Sequence, residues 1–199
     1  MVEWDGTVVV TTPRLLLRTF RREDLPRYAA LNADPAVVEF LGGEPLSREY
    51  SDDIAAWANE VFETEGIGLM AVERREDGAF LGMCGLHHLA SYPDDVEVGW
   101  RLAREFWGEG YATEAANAWL AHAFGSMNLP RVISVTDPPN LRSLAVMHRL
   151  AMVYDHEGEI EDEGVRFHAV VHAITAERWS DRAEAAPCAC LATTPPEER

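Results

Sequence analysis

The chain is 199 residues long, 47% hydrophobic and 26% charged, a composition that lets one soluble domain bury a sizeable core. Its 34 acidic residues against 17 basic ones leave a net charge of −17, which opposes binding to nucleic acid or anionic membrane. The same acidity would attract a cationic substrate, or serve solubility alone. Cys84 in an apolar run and Cys188 and Cys190 near the C-terminus make no paired framework, and no basic-then-apolar leader or membrane-length apolar run of about 18 residues is present, so a cytoplasmic setting is expected.

In chain order, Arg14–Phe20 reads as a first strand bounded by Pro13 and a polar segment. Leu25, Tyr28, Ala29 and Leu31 mark a helix, and Asp34-Pro35 a cap followed by proline at the first turn of a second. From Ser47, the positions Ile54, Trp57, Ala58, Val61 and Phe62 give a longer helix ending near Gly66. Ile67–Val72, Ala79–Leu86 and Asp94–Leu102 read as an antiparallel meander, with Glu76-Asp77-Gly78 as its first turn.

The stretch Arg101–Ala115 then ends a strand, turns at Gly108-Glu-Gly110 and starts an amphipathic helix through Tyr111, Ala115, Trp119 and Ala123. Amides in the first turn of a helix lack internal partners and favour an anion, so the glycine pair is either an anion seat or an ordinary tight turn. The G-x-G-x-x-G and G-x-x-x-x-G-K-[ST] nucleotide motifs are absent, since Thr113 stands where a third glycine would fall. Arg131–Thr136 reads as a strand, Asn140–Leu150 as a helix, and Met152–His156 and Val165–Ile174 as closing strands joined by an acidic loop. From Ser180 the sequence loses periodicity and reads as a flexible tail over 180–199.

Three segments in this order, Thr12-Pro-Arg-Leu-Leu-Leu-Arg18, Val96-Glu-Val-Gly-Trp100 running into Trp107–Ala115, and Asn140-Leu-Arg-Ser143 leading to Leu150-Ala-Met152, resemble the GCN5-related N-acetyltransferase (GNAT) superfamily and its RimJ/RimL-like branch. The resemblance implies one acyl-CoA N-acyltransferase domain over residues 1–179 with an α+β, α/β/α-layered fold. Its mixed, mostly antiparallel sheet would have about seven strands, splayed between the fourth and fifth, with helices on both faces. Acetyl-CoA would be the co-substrate: main-chain groups of Val98, Gly99, Trp100, Arg101 and Leu102 would pair with its pantetheine. The amides of Trp107, Gly108, Glu109, Gly110, Tyr111, Ala112 and Thr113 would hold its pyrophosphate, with Asn140 and Ser143 bordering the arm.

Four positions depart from the family pattern. Trp107 replaces an Arg or Gln, Glu109 replaces a basic residue between the glycines, Met147 replaces a tyrosine acid, and Ala151 replaces a glycine. An acid at 109 opposes the pyrophosphate unless its side chain turns away.

Acyl transfer to an amine needs a proton acceptor, a held oxyanion and a tolerated thiolate. Strand alternation puts Glu97 and Gly99 on one face, opposite Val96, Val98 and Trp100, which makes Glu97 a candidate base acting through water or, equally, a structural ion-pair residue. Ser143, one helical turn before Met147, is the candidate acid by resemblance, and an amide near Val98 the oxyanion donor. His87-His88 and His168-x-x-x-His172 lack a matching carboxylate or thiol set, so no metal is expected. The expected acceptor is a primary amine, a peptide N-terminus or a small molecule; an α-amine, with a pKa of about 7.7–8.0, needs less help than lysine at about 10.4. Still open are a non-catalytic acyl-CoA-binding or interaction protein, an antibiotic acceptor and a longer acyl group. Similar proteins include homodimers, but no interface is legible.

Overall fold

A computed structural model describes residues 3–162 and 165–185. Among them, eight strands form one sheet: β1 (Val8–Thr11), β2 (Leu15–Arg18), β3 (Leu69–Arg74), β4 (Phe80–Leu89), β5 (Tyr92–Leu102), β6 (Arg131–Thr136), β7 (Val153–Asp162) and β8 (Val165–Thr175). Their spatial order is β1-β2-β3-β4-β5-β6-β8-β7, antiparallel throughout except for the β5–β6 pair. The helices are α1 (Leu25–Asn32), α2 (Pro35–Val38), α3 (Arg48–Glu65), α4 (Tyr111–Gly125), α5 (Leu141–Arg149) and α6 (Ala176–Ala185). The mixed, mostly antiparallel sheet is therefore present, with one strand more than expected. The addition is β1, a half-exposed edge strand of four residues, too short to announce itself by alternation.

Local signals place the helices. Asp34 caps α2 by accepting from the Ala36 amide, with Pro35 following. Ser47 caps α3 by accepting from the Tyr50 amide, and Gly66 ends that helix in the left-handed region at φ 73°. Trp119, Leu120, Ala115 and Ala116 of α4 are fully buried against Val98 and Leu102 of β5 and Val132 of β6. On the opposite face of the sheet, Tyr28, Leu31, Ile54, Ala55 and Ala58 of α1 and α3 pack with Ala71, Phe80 and Met83.

Three expectations are corrected. The β4 and β5 strands run past Leu86 and begin before Asp94, so their turn is Ala90-Ser91, and Pro93 sits just inside β5 where proline is tolerated. The acidic residues from Glu157 to Glu161 lie in β7 rather than in a loop, facing β8 in register; Glu159 is opposite His168 and approaches its ring at 3.3 Å. Finally, α6 carries ordered structure past Ser180, because Trp179 stacks near Phe124 and Arg182 donates to the Asn117 side chain. The rest of the expected tail, from residue 186, lies outside the described residues.

Two features make sharp stability tests. The Arg18 guanidinium is 2% exposed and is held by both Asp24 oxygens, at 2.6 and 2.8 Å, and by Glu73 at 2.8 Å. Removing one partner of such a pair strands a buried charge. Asp24→Ala is expected to lower the unfolding free energy by about 3 kcal/mol in urea titration. Ala151, where the resemblance implies a glycine, ends α5 in the left-handed region at φ 61°, where a Cβ is strained. Ala151→Gly is expected to stabilise the chain by about 1 kcal/mol in the same assay.

Candidate active site

The site begins where the sheet opens. The parallel β5–β6 pair keeps a single residue pair in register, Glu97 with Ile133. Beyond it, the β5 edge from Val98 to Leu102 and the end of β6 lose one another as partners. The gap opens into a cavity of about 1410 Å³, lined by Glu97, Gly99, Trp100, Arg101 and Leu102 on one side and Ser134, Val135 and Thr136 on the other.

Glu97 sits at the apex of the opening and is 5% exposed. Its Oε1 accepts from the Val135 backbone amide at 2.9 Å, so a side chain satisfies a strand amide that the sheet no longer pairs. Its Oε2 faces His87 Nε2 at 3.0 Å, the two residues being direct partners across β4 and β5. A carboxylate has about four acceptor sites, so two contacts leave capacity toward the cavity. Gly99 adds no side chain there, and a Cβ would make only ordinary contact with the His87 ring, at 3.5 Å.

The glycine turn forms the far wall. Gly108 and Gly110 have φ of 84° and 81°, conformations that favour glycine, and a Cβ on Gly108 would meet nothing within 4 Å. Gly110 is the N-cap of α4 and brings no side chain, so the amides of Tyr111, Ala112 and Thr113 are left without intrahelical partners at the positive end of the helix.

The turn is clamped from both sides. The Trp107 indole N–H donates to the Leu102 carbonyl at 2.8 Å. Arg14, from the β1–β2 connection, donates to the Glu109 carbonyl at 3.0 Å and to Glu114 at 2.6 Å. Glu114 also accepts from the Thr12 hydroxyl at 2.6 Å and the Arg14 amide at 3.0 Å. Burial works to raise the Glu114 pKa, but these hydrogen bonds from Thr12 and Arg14 outweigh it and hold the carboxyl below its ordinary value.

Asn140 caps α5 by accepting from the Ser143 amide at 3.2 Å. Its NH₂ group donates to Thr136 Oγ1 at 3.0 Å and to Ser143 Oγ at 3.2 Å. Ser143 thus accepts from Asn140 and keeps its own hydroxyl hydrogen to give. Met147, one turn on, is fully buried in the core and offers no proton.

The cavity continues under α2 and α3. Val37, Phe40 and Leu41 line it together with Tyr50, Asp53, Ile54 and Trp57, which recur along one face of α3. Phe62, the other aromatic of that helix singled out in the sequence, packs against the core instead.

The structure gathers Glu97, Ser143, Asn140, Gly99–Leu102, Trp107, Gly108 and Tyr111, Ala112 and Thr113 around this one space, together with Gly110. The side chains of Val98 and Glu109 do not line it: Val98 is buried against α4, and Glu109 is exposed with its carbonyl turned to Arg14. Sequence reasoning missed His87 as the partner of Glu97, because the pairing follows from the Ala90-Ser91 turn, and missed Arg142, which lines the cavity. Among the described residues, no three His, Cys, Asp or Glu side chains gather as a metal site would require. No helix among them is long and apolar enough to cross a membrane.

Residues 14–153 match the family described as acetyltransferase (GNAT) domain. The Bacillus subtilis (strain 168) protein YkkB is 30% identical over 147 residues, covering 73% of this chain and 85% of the relative. A crystal structure of an acetyltransferase from Agrobacterium tumefaciens str. C58 superposes with a TM-score of 0.72 at 27% identity, covering 87% of this chain and 97% of that one. A ribosomal-protein-S5-alanine acetyltransferase from Vibrio fischeri shares the fold at a TM-score of 0.66 and 17% identity, covering 85% of this chain and 97% of that one.

Two substitutions test the geometry of the opening and its clamp. Glu97→Ala is expected to cost about 2 kcal/mol of stability by leaving the Val135 amide unsatisfied, whereas Glu97→Gln keeps that acceptor and stays within about 1 kcal/mol of wild type in denaturant titration. Because the folded Glu114 pKa is depressed, its stabilisation is present above the unfolded value of about 4.3 and is lost as pH falls through the lower folded value. Glu114→Gln should flatten the acid limb of the stability–pH curve below about pH 4.

Proposed function

Because this chain belongs to the GNAT acetyltransferase family, we propose that it transfers an acetyl group from acetyl-CoA to a primary amine, the α-amine of a peptide or protein N-terminus. The observation that carries this reading is the parting of β5 from β6 beyond Glu97, which puts an uncapped glycine turn, Asn140 and Ser143, and an aromatic-walled pocket on one continuous cavity. The motif resemblance to the RimJ/RimL-like branch, and the name of the structural relative from Vibrio fischeri, support a protein N-terminus as acceptor.

The residues present fit the co-substrate. Unpartnered amides at the start of α4 match a diphosphate, and the open space beside Gly108 lets one approach. The free β5 edge over residues 98–102 offers main-chain groups to an extended amide-bearing arm. When bound, acetyl-CoA supplies the thioester to be transferred and a thiolate leaving group.

The chain's own groups then have separate tasks. Glu97 accepts the proton of the incoming amine on the carboxylate that also faces His87, directly or through one water. Ser143, oriented by Asn140, presents its hydroxyl hydrogen to the departing sulfur. Met147 replaces the family's tyrosine and is buried, so no stronger acid stands at that position. Phe40, Tyr50 and Trp57 give the acceptor side of the cavity an aromatic wall.

The test is thiol release on incubating the full chain with acetyl-CoA and a panel of N-terminal peptides, polyamines and amino sugars. Peptide-dependent release is expected, with kcat reduced about 100-fold in Glu97→Gln and about tenfold in Ser143→Ala. Tight CoA binding without acceptor-dependent release, indifferent to both substitutions, would instead identify an acyl-CoA-binding protein.

A further inference from the structure

The glycine turn lacks the cation its task calls for. Glu109 occupies the place between the glycines, and the guanidinium of Arg14 is already shared between Glu114 and the Glu109 carbonyl. A second arginine reaches the turn from another element. Arg142 stands in the first turn of α5, where a cation opposes the helix dipole and no acidic residue offsets it. Its position therefore does nothing for the helix.

The Arg142 guanidinium instead lies over the Trp107 ring, 4.3 Å from the centroid, and lines the cavity beside the turn. Its ion-pair partner is Glu39 at 3.5 Å, with the two side chains 57% and 56% exposed. Such a pair is weak and readily exchanged. Glu39 directly follows α2, between Val37 and the acceptor-wall residues Phe40 and Leu41.

We propose that Arg142 is a donor-binding residue whose guanidinium exchanges Glu39 for the diphosphate of coenzyme A while staying stacked on Trp107. This rests on the acetyl-CoA reading of the site. A planar guanidinium engages two phosphate oxygens at once, and a diphosphate carries more charge than one exposed carboxylate, so the exchange runs toward the ligand. The exchange also cuts the link between α5 and α2. Donor binding thereby loosens the acceptor wall and makes it ready for the amine.

The test is calorimetric titration of the full chain with coenzyme A, with dephospho-coenzyme A, which keeps the diphosphate without the 3′-phosphate and should behave as coenzyme A does, and with pantetheine, which has the arm but neither group. Arg142→Ala is expected to weaken coenzyme A binding about tenfold or more and to leave pantetheine binding unchanged, with Arg142→Lys between the two. Glu39→Gln should tighten coenzyme A up to about fivefold, an effect that vanishes when Arg142 is also replaced. Hydrogen exchange over residues 35–41 should speed up when coenzyme A binds the wild type, and in Glu39→Gln it should already be fast without ligand.

Equal coenzyme A affinity in Arg142→Ala and wild type would overturn the proposal. So would an equal loss for pantetheine, or an equal loss in Arg48→Ala, which removes the same charge from α3, outside the cavity lining. Failure of the wild type itself to bind coenzyme A would overturn the functional reading first, and is distinguishable from these results.

Discussion

A parallel strand pair that stops pairing midway leaves backbone amides that must be satisfied by something else. Here Glu97 does so: one carboxylate oxygen takes the Val135 amide of the diverging strand, and the other meets His87 of the strand behind. The opening between β5 and β6 is held at its apex by a side chain that also faces the cavity the opening creates. The sheet and the site therefore meet in one residue, and its neighbours answer to both.

The strand that carries Glu97 serves two environments through its period of two. Val96, Val98 and Leu102 are buried toward α4 and supply the apolar contact that holds that helix against the sheet. Glu97, Gly99 and Arg101 point to the other face, where Arg101 donates to Asn32 of α1 at 2.9 Å. Burial on one face makes the strand rigid. That rigidity is what allows polar groups on the other face to keep a fixed geometry.

Charge is arranged with similar economy. The Arg14–Glu114 clamp ties the N-terminal hairpin to the first turn of α4, so the glycine turn is braced by an ion pair at the cavity's edge, where Glu114 is part of the lining, while the first amides of α4 keep no intrahelical partner. The acidic excess of the chain is conspicuous on the β7–β8 hairpin, where His168 lies between Glu157 and Glu159. None of these three hairpin side chains lines the cavity.

The sequence by itself determined what is local. The helix start after Gly108-Glu-Gly110, the cap at Asp34, the helices begun at Ser47 and Asn140, and the polar face of Glu97 follow from spacing and backbone chemistry within a few residues, and each is seen in the structure. The edge strand β1 and the acidic half of β7 beyond His156 were not legible, because a short or highly charged stretch at a sheet edge gets its conformation from its neighbour rather than from its own pattern. Only the tertiary structure decided which distant groups meet. Glu97 with His87, Arg14 with Glu114, and Arg142 with Trp107 and Glu39 are joined by strand register and by the packing of helices on the sheet, which depend on the whole chain folding at once.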